Sequence, residues 1–162
     1  MHLFTLSSCF LLSAILAACI PGVLGRSLVD SANAICDPAA TGPFLQDKQE
    51  AAFRDYIHIF FDEHNPKKAF DSYIPGHVLY RREAVIAGLV ALEANPDMTR
   101  DHVTLFTGGG YGLVYYRRWI PASTEVNWAV MDKMRFEGTC LVEIWSVSQR
   151  IFGTETNPIA FF

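Results

Sequence analysis

The sequence predicts an α+β fold, a cone-shaped barrel in which a curved, mainly antiparallel sheet has three N-terminal helices packed across it. Three observations support this prediction. Apolar residues recur with the helical period of 3.6 up to about residue 95. They recur with the period of two that is typical of strands from about residue 102 onward. Turns rich in glycine, proline and asparagine separate the segments, and helices followed by an antiparallel meander leave a cone with one open end.

The helical segments lie between residues 44 and 95. The apolar residues from Phe53 to Phe61 fall at positions i, i+3, i+4, i+7 and i+8, which predicts an amphipathic helix over about 44–63. Asn65-Pro66 supplies a cap and a first position for a short second helix, which Pro75-Gly76 ends. Apolar residues between Val85 and Leu92 predict a third helix that ends at Asn95-Pro96.

The strand segments follow the third helix. Gly108-Gly109-Gly110 is predicted to be the first turn between strands, since no Gly-Lys-Ser/Thr follows it as a phosphate-binding loop requires. Glu137-Gly138 is predicted to be the last hairpin turn. The predicted strands are 102–107, 111–119, 126–136 and 140–149, after a brief strand at 78–80.

The N-terminus predicts a secretory protein. Residues 1–25 hold no Asp, Glu, Lys or Arg, and their apolar stretch ends at Pro21-Gly22, as in a cleaved signal peptide. A single transmembrane anchor and a lipoprotein box with a lipidated Cys19 are the alternatives. After a signal at 1–25 we expect an N-terminal arm at 26–43, one domain at 44–150 and a tail at 151–162. The mature protein is expected to be secreted, or to lie in the lumen of the secretory pathway, without stable membrane insertion.

The charge excludes some classes of partner. The net charge is −4, and all 13 basic and 17 acidic residues follow the signal. A mildly acidic chain is a poor partner for nucleic acid or an anionic membrane surface, because both require a basic face. We therefore expect neither a nucleic acid nor an anionic membrane surface as a partner.

Two cysteines remain after signal cleavage. Cys36 and Cys140 are the pair, and a secreted chain with one remaining pair favours a disulfide. It would join the N-terminal arm to a late strand. The alternative is two unrelated thiols, with Cys140 acting as a small buried apolar residue.

Strand 126–136 carries the most informative candidate, Asp132. Period-two alternation places this carboxylate on one face with five apolar residues. They are Val126, Trp128, Val130, Met134 and Phe136. A carboxylate on an apolar face must be paired, solvated in a cavity, or shifted toward its neutral form. Asp132 is therefore either an acid/base group that lines a pocket or a buried residue satisfied by a backbone amide, Arg117 or Arg118.

Further candidates lie on neighbouring segments. On strand 140–149, Ile144 and Ser146 share one face, whereas Glu143 and Trp145 share the other and are expected at a rim and in packing. His77 stands beside a turn with Tyr80 three residues later. This histidine is either structural or exposed, or it lies at a pocket mouth and transfers protons near neutral pH.

Metal and serine-hydrolase sites are not predicted. His58 and His64 are six residues apart, which puts them on different faces of a helix, and there is no His-Glu-x-x-His sequence. The Gly-x-Ser-x-Gly sequence of a nucleophile elbow is also missing from the chain.

Several segments together resemble the SnoaL-like polyketide cyclases of the nuclear-transport-factor-2-like superfamily. The resemblance covers about residues 44–150 and is best in the Asp-x-x-Arg-Phe and Val-Glu-x-Trp strands. A signal followed by an early Cys-Asp-Pro is similar to secreted fungal members. The segments that carry it are Ala69-Phe-Asp-Ser-Tyr-Ile-Pro75, Arg82-Glu-Ala-Val-Ile-Ala87, Met131-Asp-Lys-Met-Arg-Phe-Glu-Gly138 and Leu141-Val-Glu-Ile-Trp-Ser-Val-Ser-Gln149.

The resemblance implies a cone with a hydrophobic pocket, often dimeric through its sheet, that works without a metal or an organic cofactor. It also implies acid/base chemistry such as aldol closure or isomerisation. Two departures affect this. The family's Tyr-Ile-x-His-Asn-Pro is shortened here, so that His77 alone could replace its histidine. The family's terminal His and Asp are Ile144 and Ser146, which leaves Asp132 as the remaining carboxylate.

The sequence therefore predicts a cofactor-independent cyclase or isomerase of secondary metabolism that acts on a small apolar polyketide- or terpenoid-like metabolite. Asp132 is the expected base, and His77 with Tyr80 polarises an oxygen. The alternative is a secreted, non-catalytic module that holds a small hydrophobic ligand in the same cone. The residues expected to shape the pocket or contact ligand are Tyr80, Trp128, Met134, Phe136, Ile144 and Ser146.

Overall fold

The structure is a computed structural model that describes residues 34–78, 81–123 and 125–156. The predicted signal peptide at 1–25 and the cleavage site lie outside these residues, as do Leu79 and Tyr80. Within the described ranges, no helix has both the length and the hydropathy needed to cross a bilayer.

Within the described residues, three α-helices precede the sheet, as predicted. α1 spans Leu45–Ile57, α2 spans Pro66–Tyr73 and α3 spans Arg82–Glu93. The Asn65 cap is confirmed, because its side-chain oxygen accepts a hydrogen bond from the backbone N–H of Lys68 at 3.0 Å.

The end of the first predicted helix is a π-helix, His58–Asp62, rather than a continuation of α1. Its i→i+5 bond runs from the N–H of Glu63 to the carbonyl of His58 at 3.1 Å. A π-helical turn widens the helix locally and is frequent at functional sites. Here the turn presents Phe60 and Phe61 to the interior.

The sheet has four strands in the order of the sequence, and every neighbouring pair is antiparallel. β1 begins earlier than predicted and is irregular between Asp101 and Thr104. Val78 lies in a turn, so the described part of the predicted strand 78–80 is not extended. The strands are β1 Thr99–Gly108, β2 Tyr111–Trp119, β3 Asn127–Glu137 and β4 Cys140–Arg150.

The core lies between the helices and the concave, inner face of the sheet. Phe53 of α1 is fully buried and meets Phe136 of β3 edge-on, with ring centroids 6.2 Å apart. Gly112 of β2 allows this approach, since a Cβ there would meet the Phe53 ring at 3.0 Å. The α+β arrangement of helices on a curved antiparallel sheet is thus the predicted one.

A disulfide fastens the N-terminal arm to the sheet. Cys36 and Cys140 are joined with an S–S distance of 2.09 Å and a Cα–Cα distance of 5.0 Å, which confirms the predicted pair. The N–H of Thr139 donates to the carbonyl of Asp37 at 2.9 Å, and the N–H of Ile35 donates to that of Ser72 at 2.9 Å. The arm therefore links α2 with the β3–β4 turn.

The outer face of the sheet carries exposed apolar and charged residues. Lys133 lies over the rings of Tyr111 and Trp145, with its Nζ 4.3 and 5.5 Å from their centroids. Glu143 accepts from Arg135 at 2.6 Å, which agrees with the rim position predicted for this glutamate. Trp145 is half-exposed, so it contacts solvent as well as this cluster.

Candidate functional site

A cavity of about 340 Å³ lies between the inner face of the sheet and the helices. This is within the range of small-molecule pockets in proteins, which are mostly apolar with a few convergent polar groups. α1, the π-helix, α2 and α3 form one side of it, and all four strands form the other. The helical lining residues are Tyr56, Ile57, Phe60, Phe61, Phe70, Val85, Leu89 and Leu92, and the strand residues are Arg100, Tyr116, Arg118, Val130, Asp132, Met134, Ile144, Ser146 and Ser148.

Asp132 lies in the middle of the sheet side of this cavity. It is opposite Val114 of β2 and Ser146 of β4 in the strand pairing. The hydroxyl of Tyr116 donates to Asp132 Oδ2 at 3.2 Å. Burial raises the pKa of Asp132 above its ordinary value, and hydrogen bonds from Ser146 and Tyr116 with the charges of Arg118 and Arg100 oppose this only in part.

Two tyrosines face the same carboxylate. Burial, followed by the negative charge of Asp132, raises the pKa of both Tyr56 and Tyr116. Both hydroxyls therefore stay protonated at neutral pH and act as hydrogen-bond donors. Tyr116 orients Asp132, whereas the fully buried Tyr56 supplies a second donor on the helical wall.

An ion pair links the cavity to the protein surface. Arg100 lines the cavity with its side chain only 6 % exposed, and it donates to Glu93, whose side chain is 2 % exposed. Glu93 also contacts Nδ1 of His64 at 3.1 Å, and Arg100 lies 4.7 Å from the centroid of the Phe61 ring. The charge of Arg100 is thus neutralised by a buried carboxylate.

Arg118 lies directly opposite Arg100 in the pairing of β1 and β2. In β2 it has the same parity as Tyr116 and lines the same cavity. Among the described residues, Arg118 has no ion pair within 4.0 Å, and its buried Nε has no hydrogen-bond partner. Asp132 is a carboxylate whose pKa the charge of Arg118 lowers, although burial outweighs this effect.

Four of the predicted site residues meet at the cavity. Asp132, Met134, Ile144 and Ser146 line it together, since Asp132 is paired with Ser146 and Met134 with Ile144 across β3 and β4. One interpretation of Asp132 was a buried carboxylate paired with an arginine such as Arg117. Arg117 instead donates a hydrogen bond to Asn127 and stacks on Trp119. Asp132 lies in a cavity and bonds to hydroxyl groups.

The other predicted residues are placed elsewhere. Phe136 is in the core against Phe53 and is not among the residues that line the cavity. Trp128 shares the inner face but is paired between Arg118 and Arg150, outside the cavity lining. His77 is exposed in the turn after α2 and does not line the cavity, because this turn follows the α2 C-terminus on the surface. Tyr80 lies outside the described residues.

Several lining residues were not predicted as site residues. Tyr56, Phe60 and Phe61 were assigned only to the buried face of a helix, and the apolar period cannot separate core from cavity wall. Tyr116 and Arg118 could have been found from alternation along β2, because they share parity with Val114. Arg100 was missed because the predicted first strand began after it.

In the part of the chain that the structure describes, no group of three His, Cys, Asp or Glu side chains is placed to hold a metal ion. His58 instead contacts Asp62 at 2.8 Å on the π-helix, and His64 contacts Glu93. The two histidines are therefore directed at different partners.

Comparison with known proteins gives a likeness of fold. No protein-family model matches the chain, and no curated protein matches it. Among solved structures it is similar to the crystal structure of an NTF2-like protein of unknown function from Mesorhizobium loti. The two share 13 % identity with a TM-score of 0.49, over 68 % of this chain and 98 % of the other. Nothing about ligand or activity follows from this likeness.

Proposed function

We propose that the cavity binds a small, largely apolar molecule and that Asp132 acts on it as a general acid or base, in a reaction of the cyclase or isomerase type. The observation that carries the proposal is a carboxylate with a raised pKa in the wall of an apolar cavity of about 340 Å³. A raised pKa brings a carboxylate closer to the range in which it exchanges protons efficiently at neutral pH.

Each polar lining group has a role in this proposal. Asp132 takes a proton from a carbon next to a carbonyl group and returns it at another position, so that no cofactor takes part. The hydroxyls of Tyr116 and Ser146 hold the carboxylate in place. Tyr56 donates to the ligand oxygen on which negative charge develops, which replaces the role predicted for His77 and Tyr80.

The proposed substrate class is a polyketide- or terpenoid-like product of secondary metabolism. Ring faces of Phe60, Phe61 and Phe70 and the side chains of Met134 and Ile144 make the wall apolar. The buried disulfide fits a protein that acts in an oxidising compartment, so we place the reaction outside the cytosol.

The experiment compares Asp132→Asn with Glu143→Gln in the producing host. Both variants replace a carboxylate of the sheet by its amide, but Glu143 lies on the outer face. We expect Asp132→Asn to lose the product of the reaction and to accumulate its precursor, as measured by mass spectrometry of culture extracts. Glu143→Gln should match wild type. An unchanged metabolite profile in Asp132→Asn would exclude Asp132 as the catalytic group.

A binding protein without catalysis is the second candidate. It is favoured by Ile144 and Ser146, which line the cavity where the resemblance implies a histidine and an aspartate. Neither side chain exchanges protons near neutral pH. A lipophilic compound extracted from purified wild type and recovered equally from Asp132→Asn, with no conversion by either protein, would favour this candidate.

We also propose that a second copy of the chain packs on part of the outer face of the sheet, near Phe106 and Val147, and leaves the Arg135–Glu143 pair in water. Phe106 on β1 and Val147 on β4 are each 62 % exposed on this face, and the resemblance given above implies dimers formed through the sheet. Sedimentation equilibrium should show a dimer that Val147→Lys dissociates. A monomeric wild type at micromolar concentration would contradict this.

A further inference from the structure

One basic side chain in the cavity has no counter-ion within reach. Arg100 and Arg118 are direct cross-strand neighbours on the inner face, and like charges placed opposite one another destabilise a sheet. Glu93 neutralises Arg100, so the pair keeps one positive charge that no described residue pairs within 4.0 Å. That charge is on Arg118.

Asp132 does not supply the missing partner. Its oxygen Oδ2 accepts from Tyr116 at 3.2 Å, and no ion pair joins it to Arg118 within the described ranges. Its burial also favours the neutral form of the carboxyl group. The half-buried guanidinium of Arg118 therefore lines a mostly apolar space without an ion-pair partner among the described residues.

A guanidinium in that position is suited to an anion. It presents several N–H donors in a planar fork that matches the two oxygens of a carboxylate, and such charge-assisted bonds are stronger in a partly buried site. Along β3, Met134 lies six residues from Trp128, the pairing partner of Arg118, and it is paired with Ile144 in the apolar part of the cavity lining. The site thus has one cationic region and one apolar region.

We propose that Arg118 is the counter-ion for an anionic oxygen head group, such as a carboxylate, on the ligand of this cavity. The ligand is then a small organic acid with an apolar body. This inference rests on the proposed function for the existence of a ligand, and it adds the ligand's charge and its orientation: head group at Arg118, apolar body toward Met134 and Ile144.

Two fluorescent probes test the proposal, because they differ by a single anionic group. They are 8-anilinonaphthalene-1-sulfonate and its uncharged analogue N-phenyl-1-naphthylamine. We expect wild-type protein to bind the sulfonate at least about tenfold more tightly than Arg118→Gln does, since a charge-assisted bond of this kind carries such a factor. Binding of the uncharged probe should change by less than about twofold.

Further variants separate charge from folding. Arg117→Gln is the matched control, because Arg117 is the neighbouring arginine on the other face of β2 and does not line the cavity. It should leave both affinities unchanged. Arg118→Lys keeps the charge and should retain most of the preference for the sulfonate. Asp132→Asn should strengthen sulfonate binding, since it removes the only carboxylate among the described lining residues.

The outcomes are distinct for the two proposals. If Arg118→Gln leaves the affinity for the sulfonate unchanged, or weakens both probes equally, the anion site is wrong, while binding of the uncharged probe still supports an apolar cavity. If wild type binds neither probe, both the ligand cavity and the anion site are wrong. A loss confined to the sulfonate in Arg118→Gln, with circular dichroism like wild type, supports the site.

Discussion

The pKa of a carboxylate is shifted in opposite directions on the two faces of the sheet. Asp132 on the inner face and Glu143 on the outer face are carboxylates on neighbouring strands. Burial raises the pKa of Asp132, whereas the hydrogen bond from Arg135 lowers the pKa of Glu143. Water screens the outer group, and the inner group faces apolar walls.

This difference shows what a cavity contributes to a side chain. The outer charges lie in exposed cross-strand ion pairs, such as Arg135 with Glu143. Pairs of this kind contribute little to the free energy of unfolding. The inner charges of Asp132 and Arg118 are held near each other without an ion pair within 4.0 Å among the described residues. Charged side chains without an ion-pair partner respond to a bound ligand and to pH. We therefore expect the functional site on the inner face.

The largest predicted effect is a loss of stability of the whole domain when the disulfide is removed. Replacing Cys36 and Cys140 by serine opens a connection between residues 104 positions apart and should lower the free energy of unfolding by about 2–5 kcal/mol. Urea denaturation followed by tryptophan fluorescence measures this. Wild type treated with a reductant is the control and should show a similar loss. An unchanged midpoint would mean that the disulfide does not stabilise the domain.

A matched pair of methionines compares packing on the two faces. Met134 is 4 % exposed on the inner face, and Met131 of the same strand is 38 % exposed on the outer face. Met134→Ala should cost about 2–4 kcal/mol of stability because it enlarges a buried space. Met131→Ala should cost less than about 0.5 kcal/mol. Similar losses from denaturation curves of the two variants would contradict the assignment of inner and outer faces.

The pH dependence of stability distinguishes the two carboxylates. Because the folded-state pKa of Asp132 is raised, its protonation favours the folded protein. Asp132→Asn should therefore be more stable than wild type at pH 7, by on the order of 1 kcal/mol. The advantage should shrink as the pH falls through the raised pKa, and it should vanish below about pH 3.8, the ordinary value for aspartate.

Thermal melting between pH 3 and pH 8 measures this difference. Glu143→Gln is the control, and its sign is opposite, since the lowered pKa of Glu143 adds stability above its ordinary value that is lost as the pH falls. Exposure of Glu143 to water and salt makes that contribution too small to resolve. A wild type that melts at a higher temperature than Asp132→Asn at pH 7 would show that the carboxylate is not destabilised by burial.

The smallest predicted effect is on the outer face. A double-mutant cycle on Arg135→Gln and Glu143→Gln should give a coupling within the scatter of thermal melts, because water and salt screen an exposed pair. The same cycle repeated in 0.5 M salt is the control. A coupling that persists there would mean that the proposed dimer extends over this pair and shields it from water.

Local signals accounted for most of the fold. The Asn65-Pro66 cap and the alternation along β3 predicted an α2 start and an inner-face Asp132 that the structure confirms. The π-helix at His58–Asp62 was not predictable, because the apolar positions fit an α-helix equally well. Val78, the described residue of the predicted strand 78–80, lies in a turn, which shows the same limit for short apolar runs.

The sequence predicted only those site residues whose position follows from the alternation of side chains along a strand. Asp132, Met134, Ile144 and Ser146 were found from alternation, which has a fixed period along a strand. Trp128 and Phe136 have the same parity but lie outside the cavity, since parity gives the face and not the depth along it. His77 lies on a surface turn, a position that no periodicity encodes.

The sequence by itself determined the order of helices and strands, the faces of β3 and β4, and the cysteine pair that could form a disulfide. Only the tertiary structure decided that Arg100 faces Arg118, that Glu93 neutralises one of them, and that Asp132 shares their cavity. Propensity and periodicity act over a few residues along the chain. Strand register and the packing of helices on the sheet depend on contacts between residues distant in sequence. These contacts place Arg118 in the cavity without an ion-pair partner among the described residues.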